Sequence, residues 1–374
     1  MKVLFIGGTG RLSKDVASLA LEKNWDVYLL TRGSKERKLY VNSGYHMIYG
    51  DIRDSEKAKS VLEGYTFDTV IDFISYNLNQ LKNTLSVVDG KYKQFIFIST
   101  AGVYAYKEEN LPIREDKTPV GNDNWQYTLD KYKCERYLAE KFKEDGTHYY
   151  TIVRPSVTYG NTRIPYPLVP QDTLKEWTFM DRIERGVPIP IFDGGKTIAS
   201  LTHTRDFAVG VVGLFMNDKA KNLPVHIAND ESVSYKELLD TLQNVIGKKI
   251  VHSEITREQI YKCLPEMEQI IEGSKGRDIR FDNSRIKLLV PEYKNSVSLY
   301  DGLQDMIRHY NKHPELKLID WGWNGRVDRL ISTYGGVKID KPRIKDKKDA
   351  LRYDAGRYPA VGLAAKVAGK LKGH

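Results

Sequence analysis

The stretch FIGGTGRLS (residues 5–13) follows an apolar run at Lys2–Ile6 and opens the helical pattern RLSKDVASLALEK. This order predicts a strand, a tight glycine-rich turn and a helix. Glycines in such a turn let backbone amides approach a pyrophosphate at the N-terminus of the helix, where the helix dipole favours negative charge. The third glycine usual in these turns, which permits close packing of helix on strand, is Ser13 here. The stretch therefore predicts a dinucleotide-binding turn.

Apolar runs and helical patterns alternate from this turn up to Pro155. Runs that are apolar throughout, rather than alternating with polar residues, are typical of parallel strands buried on both faces. The pattern predicts an α/β fold with a Rossmann-type doubly wound parallel sheet. The strand-like runs are residues 26–31, 46–51, 68–74, 94–100 and 149–155, and helical patterns around residues 56–62, 78–88 and 127–144 lie between most of them.

The length of 374 residues exceeds the size at which one hydrophobic core usually stops growing, so we expect two domains. Beyond Pro155 the sequence is richer in proline and in polar loops. The predicted organisation is a dinucleotide-binding domain at 1–160, to which 197–217 returns, a smaller C-terminal α/β substrate domain at 161–337 and a basic tail at 338–374.

Two segments of the C-terminal half have less regular patterns. The segment IDWGWNGRVDRL (residues 319–330) predicts a glycine-rich turn that packs against the body of the protein. In the tail, residues 338–349 are rich in charge and predict a solvated segment. Residues 362–374, GLAAKVAGKLKGH, are open to two interpretations, a short amphipathic helix that docks on a partner subunit or an anionic membrane, and a frayed end.

Composition excludes several classes of protein. Hydrophobic residues make up 41% of the chain and charged residues 29%, as in soluble globular proteins. Two cysteines make no disulfide framework, no apolar run approaches the roughly 18 residues of a membrane span, and no His/Cys/Asp/Glu cluster has metal-ligand spacing. We therefore expect a cytoplasmic protein without a bound metal.

The formal net charge of +9 is unevenly distributed. The tail, residues 338–374, holds 11 Lys/Arg against 4 Asp/Glu, a local charge of +7 that leaves +2 for the first 337 residues. Because nucleic-acid binding depends on a basic surface, this distribution argues against nucleic acid as a partner of the main body.

The loop after the second strand discriminates between cofactors. An NAD site usually carries Asp or Glu there for the ribose hydroxyls, and this sequence has none. Arg32, helped by Ser34 or Lys35, is suited to a 2′-phosphate because a guanidinium fork matches phosphate oxygens. The alternative is an ordinary solvated loop. We predict NADP or NAD as the cofactor, with NADP favoured. Asp51 and Ile52, after the third strand, suit the adenine amine and ring.

The stretch WQYTLDKYKCE (residues 125–135) predicts the start of a helix. Tyr127 and Lys131 are four residues apart, so their side chains share one helix face. A neighbouring ammonium lowers the proton affinity of a phenol and prepares it for general acid–base chemistry. The alternative is a surface pair among many, since the chain has 24 tyrosines.

Taken together, seven short motifs resemble the short-chain dehydrogenase/reductase superfamily. The resemblance is to its extended and atypical branch, the NAD-dependent epimerase/dehydratase family, and runs from residue 1 to about residue 310. It is strongest to the group of nucleoside-sugar epimerases that includes chloroplast stem-loop RNA-binding relatives. The motifs are GGTGRLS, GDI, FIFISTAGVY, Tyr127-x-x-x-Lys131, IVRPSVTYG, THTRDFAVG and FDNSRIKLLVP.

The resemblance implies roles for particular residues. Tyr127 would exchange a proton with the substrate while the nicotinamide exchanges a hydride with the adjacent carbon. Lys131 would hold the nicotinamide ribose and stabilise the tyrosinate. Thr100 would bond the reacting oxygen, with the adjacent Ser99 as the fallback. The cofactor-binding residues expected are Gly7, Gly10, Arg11, Leu12, Arg32, Ser34, Asp51, Ile52, Phe73, Lys131 and Pro155.

Two departures from the family pattern bear on the reaction. Ala101 and Gly102 stand where the family's 4,6-dehydratases carry an Asp-Glu pair, which argues against dehydration by that route. Ala199 stands where sugar-nucleotide enzymes often carry an arginine for a diphosphate. Three other cations could take its place, namely Lys196, Arg205 and Arg277.

The function predicted first is an NAD(P)-dependent epimerase that acts on a sugar or nucleotide sugar by transient hydride transfer at a secondary alcohol. The alternative is an NADPH-dependent ketone or sugar reductase. A third hypothesis is an RNA-binding or scaffold relative of the family. The expected partner is a small-molecule substrate, and a homodimer is left open.

Overall fold

The computed structural model describes residues 1–33 and 43–362. Within them the strands are β1 (Lys2–Ile6), β2 (Asp26–Thr31), β3 (His46–Tyr49), β4 (Phe67–Asp72), β5 (Tyr92–Ile98), β6 (Tyr149–Pro155), β7 (Val157–Tyr159), β8 (Ile189–Ile191), β9 (Ile198–Ala199), β10 (Leu201–His203), β11 (Leu223–Ile227), β12 (Val233–Ser234) and β13 (His252–Glu254). The α-helices are α1 (Ser13–Glu22), α2 (Ser55–Val61), α3 (Leu78–Val87), α4 (Gln126–Lys141), α5 (Trp177–Arg185), α6 (Thr204–Gly213), α7 (Tyr235–Ile246), α8 (Arg257–Cys263), α9 (Met267–Ile270), α10 (Ser284–Leu289), α11 (Leu299–Lys312), α12 (Trp321–Tyr334) and α13 (Lys347–Arg357).

In the described ranges, a seven-stranded sheet has the order β11-β6-β5-β4-β1-β2-β3, and its neighbouring strands are all parallel. From β1 the chain runs outward through β2 to β3, then crosses back to β4 and builds in the other direction. This reversal places a topological switch point between β1 and β4, where ligands bind in doubly wound sheets. The predicted Rossmann-type α/β fold is confirmed.

Both faces of this sheet are buried, which explains the continuous apolar runs. Along β1, Val3 and Phe5 belong to the hydrophobic cluster on one face, whereas Leu4 and Ile6 belong to the cluster on the other. Successive side chains of a strand point to opposite faces, so a strand covered on both sides must be apolar at every position.

The chain divides into two compact units. The first contains the seven-stranded sheet and comprises residues 1–159, 200–232 and 278–298. The second comprises residues 160–199, 233–277 and 299–374, of which residues up to 362 are described. It is mainly helical, with the short strand pairs β8–β13 and β9–β12.

A buried ion pair lies inside the second unit. The Nη1 atom of Arg182, on α5, donates to Asp328 Oδ1 on α12 at 2.6 Å, and its Nε and Nη2 atoms donate to the carbonyl of Pro188. Both charged side chains are fully buried. Removing one partner of such a pair leaves an uncompensated charge, so the pair fixes the packing of α5 against α12.

The prediction of a glycine-rich turn at residues 319–330 is wrong, because residues 321–330 belong to helix α12. Its glycines serve close packing against α13. A Cβ atom at Gly325 would lie 2.2 Å from the Tyr353 carbonyl oxygen, and one at Gly356 would lie 2.2 Å from the Gly322 carbonyl oxygen. Part of the predicted basic tail is therefore a packed helix. Residues 363–374 lie outside the described residues, and the two interpretations of that segment stay predictions.

No helix in residues 1–33 or 43–362 is both long enough and apolar enough to cross a membrane.

Candidate cofactor and catalytic site

The glycine-rich turn after β1 is held together by the residue that departs from the usual pattern. The Ser13 hydroxyl donates to the Gly7 carbonyl at 2.7 Å and accepts from the Gly10 amide at 2.9 Å. Gly7 has a φ of +82°, and a Cβ atom there would lie 2.3 Å from the Ile74 side chain. The turn therefore requires glycine at position 7, whereas serine at position 13 adds two hydrogen bonds.

A cavity of about 730 Å³ opens at this turn, along the carboxyl ends of β1, β2, β3 and β4. Its volume is in the range of small-molecule and cofactor sites. Five of the predicted cofactor residues line it, namely Gly7, Gly10, Arg32, Asp51 and Ile52. The lining also includes residues that the sequence did not single out, among them Arg53, Ile74, Ser75, Tyr76 and Asn83.

Two arginines and one carboxylate lie where the cavity meets β2 and β3. Arg53 donates to Asp51 Oδ2 through Nη2 at 2.6 Å and to Oδ1 through Nε at 3.0 Å. These hydrogen bonds hold the pKa of Asp51 below its ordinary value. Arg32 lines the same side of the cavity, directly after Thr31. Ser34, predicted to assist Arg32, lies outside the described residues.

Five other predicted cofactor residues do not line this cavity in the described part of the chain, and one of them is Lys131, which bonds to the carbonyl of the lining residue Ser75. The Phe73 ring stacks on Phe5 in the core, with ring centroids 6.2 Å apart, because side chains alternate past the end of β4 and it is Ile74 that faces Gly7. Leu12 packs against the same core cluster. Pro155, at the end of β6, pairs with β11. Arg11 follows the turn but is not part of the lining.

Helix α4 carries the predicted catalytic pair. Lys131 is 1% exposed, and its Nζ donates to the carbonyls of Ser75 and Ile98 at 2.7 and 2.6 Å. Its Nζ also lies 6.0 Å from the centroid of the Tyr127 ring. Burial lowers the pKa of the Lys131 amine to about 8. The interpretation of this pair as solvated surface residues is wrong for Lys131.

Aromatic rings surround the predicted catalytic tyrosine. The ring centroid of Trp125 lies 4.9 Å from that of Tyr127, and the centroid of Tyr76 lies 6.2 Å from it. Tyr76 is 53% exposed and also lines the cavity. Helix α4 begins at Gln126, so Tyr127 lies in its first turn, directly beside the turn that follows β4.

The structure distinguishes the two adjacent hydroxyls after β5. The Ser99 hydroxyl donates to Glu135 Oε1 at 2.5 Å, and Glu135 also accepts two hydrogen bonds from Arg154 at 3.1 and 2.6 Å. Ser99 therefore belongs to a buried polar network. The Thr100 hydroxyl accepts a hydrogen bond from the Gly102 amide at 3.1 Å and is partly exposed. Of the two candidates, Ser99 is buried and Thr100 is partly exposed.

The cations considered as substitutes for an arginine at position 199 have different surroundings. In the second unit, Arg277 donates to Glu272 Oε2 at 3.0 Å and is committed to that ion pair. Lys196, in the same unit, is exposed. In the first unit, Arg205 is on α6, where its backbone amide donates to His203 Nδ1. Ala199 itself is buried on β9.

Several residues of this site were missed at the level of the sequence. Asp72, Ser75 and Tyr76 belong to the stretch IDFISY, which crosses from β4 into the wall of the cavity. The signal available was the acid Asp72 inside the apolar run VIDFI at the end of β4, since an acid in such a run is rarely buried without a reason. Nothing in the sequence indicated that Arg53 lines the cavity, because arginine is common in loops.

The described residues fit a dinucleotide on three observations. The turn at Gly7 has no room for a side chain, and the adjacent cavity has the volume of a cofactor site. The buried amine of Lys131 and the ring of Tyr127 contact Ser75 and Tyr76, which line that cavity. The sequence also matches the model of the NAD dependent epimerase/dehydratase family over residues 3–228, which is more than half of the chain.

The chain belongs to the NAD dependent epimerase/dehydratase family. The resemblance predicted from the seven motifs is therefore confirmed at the level of this family. The family relationship by itself leaves the substrate open.

Two curated relatives differ in what their names describe. Chloroplast stem-loop binding protein of 41 kDa b from Arabidopsis thaliana is 27% identical over 265 residues. The match covers 67% of this chain and 65% of that protein, just under two thirds of its length. A 2'-dehydrokanamycin reductase from Streptomyces kanamyceticus is 21% identical over 296 residues, covering 79% of this chain and 80% of the relative.

Among solved structures, UDP-glucose 4-epimerase from Bifidobacterium longum, in complex with NAD⁺ and UDP, superimposes with a TM-score of 0.68. The match covers 84% of this chain and 99% of that chain at 18% identity. At this level of identity the likeness establishes the fold shared by the epimerase/dehydratase family and carries no statement about substrate.

Proposed function

We propose that this family member is an NAD(P)-dependent epimerase acting on a sugar or nucleotide sugar at a secondary alcohol. The observation that carries the proposal is the Lys131 amine, which is buried between two carbonyls and lies 6.0 Å from the ring of Tyr127, beside the glycine-lined cavity. A phenol next to a buried cation is suited to give and take a proton near neutral pH.

Each of the three predicted catalytic residues has a role in this reaction. Tyr127 takes the proton of the substrate hydroxyl as that carbon is oxidised, and returns it when the ketone is reduced on its other face. Lys131 stabilises the negative charge on the phenol while the proton is away. Thr100 donates a hydrogen bond to the reacting oxygen. The nicotinamide, when bound, supplies the hydride chemistry, and Lys131 would hold its ribose.

The same proposal includes a preference for NADP over NAD. Arg32 and Arg53 line the cavity beside the end of β2, and Arg53 already engages Asp51. A carboxylate held by an arginine is a poor acceptor for ribose hydroxyls, whereas Arg32 offers a guanidinium to a 2′-phosphate. The absence of an acid after Thr31 supports the preference.

A reductase is the second candidate, because the arginines that favour NADPH also favour net reduction. The name of the Streptomyces kanamyceticus relative agrees with that reaction. The two reactions are separable by stoichiometry. An epimerase returns the hydride to its own intermediate, so dinucleotide is not consumed, whereas a reductase oxidises one NADPH for each product formed.

Substitution of Tyr127 by phenylalanine tests the proposal. We expect Tyr127→Phe to lower turnover by roughly 10²- to 10⁴-fold, the usual contribution of a general acid–base group. Dinucleotide affinity should change less than about twofold, since the ring and its contacts remain. Turnover is measured by NMR conversion of a panel of UDP-hexoses, and affinity by nicotinamide fluorescence.

Tyr132→Phe is the matched control, because Tyr132 is a partly exposed tyrosine on the same helix. It should retain the activity of the unmodified protein. Equal turnover in both variants would remove Tyr127 from the reaction and with it the proposed mechanism.

A further inference from the structure

Asp72 is a buried carboxyl group that the proposed reaction does not use. It ends β4, has 0% of its surface exposed, and its Oδ1 accepts hydrogen bonds from the amides of Ile74 and Ser75 at 2.8 and 3.0 Å. Its other oxygen, Oδ2, is buried without a hydrogen-bond partner among the described residues. A buried polar atom in this state is costly, so it calls for a reason.

The two hydrogen bonds to Oδ1 shape the turn at residues 72–76. Within this turn, Ile74 packs on Gly7 at the cofactor cavity, and the Ser75 carbonyl accepts a hydrogen bond from Lys131 Nζ. The Tyr76 ring lies beside that of Tyr127. One carboxylate oxygen therefore fixes a turn that contacts the cavity, the amine and the phenol.

The charges around Lys131 leave Asp72 as its counter-charge. Lys131 donates to two carbonyls, and an ammonium has three protons to donate. Asp72, Cys134 and Glu135 are the ionisable groups that act on it. Burial raises the pKa of the Cys134 thiol to about 12, so the thiol is uncharged near neutral pH.

The charge of Glu135 is already matched. Arg154 binds both of its carboxylate oxygens, and the side chains of this pair are 5% exposed. A carboxylate paired in this way contributes little net field at a third group, because the opposite charges nearly cancel at a distance. Asp72, at the end of β4, is then the remaining acidic group that acts on Lys131.

We propose that Asp72 is a positioning residue for Lys131, which fixes the Ser75 carbonyl against the amine through Oδ1 and provides the counter-charge of the buried ammonium. The assignment rests on the proposed function only where it concerns turnover, since the state of the amine can be measured without substrate or cofactor. Burial raises the pKa of Asp72 and lowers that of Lys131, and the attraction between the two charged forms limits both shifts.

The variant Asp72→Asn separates the two roles, because asparagine keeps an acceptor for the amides of Ile74 and Ser75 but carries no charge. The pKa of Lys131, about 8 in the unmodified protein, should fall by roughly one to three units, the effect of an opposite charge at close range. The titration is followed by NMR of ¹³C,¹⁵N-lysine in the protein without ligands, with Lys131→Met identifying the signal.

Asp130→Asn is the matched control, since Asp130 precedes Lys131 on α4 but its partly exposed carboxylate is bonded to Gln126 and Lys133. It removes the same charge from a solvated position and should leave the pKa of Lys131 unchanged within a few tenths. Equal Lys131 titration curves in Asp72→Asn and in the unmodified protein would overturn the assignment.

If Asp72→Asn does not fold, the proposal is tested by measuring the pKa of Asp72 in a variant that lacks the Lys131 amine. In Lys131→Met the pKa of Asp72, followed through its labelled ¹³Cγ, should rise by a similar amount because the ammonium is gone. An unchanged Asp72 value there would equally overturn the proposal.

Measurements of turnover and of dinucleotide affinity in Asp72→Asn distinguish a failure of this inference from a failure of the proposed function. In Asp72→Asn, the pH above which turnover declines should move to lower pH together with the pKa of Lys131, whereas the affinity for dinucleotide at pH 6 should be retained. A shifted Lys131 pKa in a protein that turns over no sugar substrate would refute the proposed function and leave the role of Asp72 intact.

Discussion

Ser13 stands where related turns have a third glycine, and its side chain still supports the turn. A glycine at this position in related turns allows a close approach of helix and strand. Here the hydroxyl bonds to Gly7 and Gly10, so the turn is tied by a side chain. The sequence showed only that serine is small, because the partners of a hydroxyl depend on the folded turn.

Arg32, which lines the cavity beside the end of β2, leads to a prediction about cofactor affinity. Arg32→Ala should weaken NADPH binding by about 10- to 100-fold, since hydrogen bonds to a charged group contribute roughly 1.5–3 kcal/mol. NADH, which lacks the 2′-phosphate, should lose less than about threefold. Fluorescence titration of both reduced dinucleotides measures the ratio.

Arg136→Ala serves as the control for this ratio, because Arg136 is an exposed arginine on α4 that does not line the cavity. Both affinities should stay unchanged in it. An equal loss of NADH and NADPH affinity in Arg32→Ala would contradict recognition of the 2′-phosphate and favour NAD as the cofactor.

At the scale of elements, the parallel sheet was predictable because burial on both faces requires an apolar residue at nearly every strand position. That pattern is visible in the sequence. No comparable sequence pattern predicts the packing of α12 against α13. Their contact is made by glycine backbones, and α13 is rich in charge, so α13 shows no clear apolar stripe. Glycine-rich sequence then indicates a turn, although Gly325 and Gly356 lie inside helices.

This helix pair yields a stability prediction. Alanine at position 325 would gain up to about 1 kcal/mol of helix propensity, but its Cβ would overlap the Tyr353 carbonyl oxygen at 2.2 Å. Overpacking of this kind typically costs about 1–3 kcal/mol. Gly325→Ala should therefore lower the midpoint of thermal unfolding by a few degrees, as measured by circular dichroism.

The comparison for that experiment is Gly146→Ala, because a Cβ atom at Gly146 has no neighbour within 4 Å. Its unfolding midpoint should match that of the unmodified protein. If Gly325→Ala were as stable as Gly146→Ala, the close contact between α12 and α13 would be wrong.

For the whole molecule, the sequence predicted the family, the sheet and the Tyr127–Lys131 pair, because each depends on spacing along the chain. It did not predict the turn at residues 72–76 or the rim arginine Arg53. These residues come from separate segments that meet only through the order of the strands. The predicted Phe73 contact missed by one residue for the same reason, since the strand end decides which side chain faces the cavity.

The charge distribution allows a test of the RNA-binding hypothesis at this scale. Deleting residues 338–374 would also remove α13, whose Tyr353 donates to Asp328 in the second unit at 2.6 Å. Substitution of Lys366, Lys370 and Lys372 by glutamine removes charge without removing the helix. We expect weak binding of single-stranded RNA that fades between 50 and 200 mM salt, as for non-specific phosphate contacts.

The substitution should reduce the slope of log affinity against log salt by about 2, or roughly 0.7 for each lysine that contacts phosphate. Fluorescence anisotropy at several salt concentrations gives that slope. Tight binding that resists salt and is unaffected by the substitution would favour RNA as the partner of the main body.

The arginine rim and the Asp72 turn occupy separate parts of one cavity, and this separation matters for protein engineering. Under the proposed function, exchanging Arg32 for an acidic residue should alter the preference between NADP and NAD and leave the proton transfer proposed for Tyr127 unchanged. Changes within residues 72–76 should disturb both the binding of the dinucleotide and the proposed proton transfer. Redesign of redox-cofactor use should therefore begin at β2 and keep the segment after β4 as it stands.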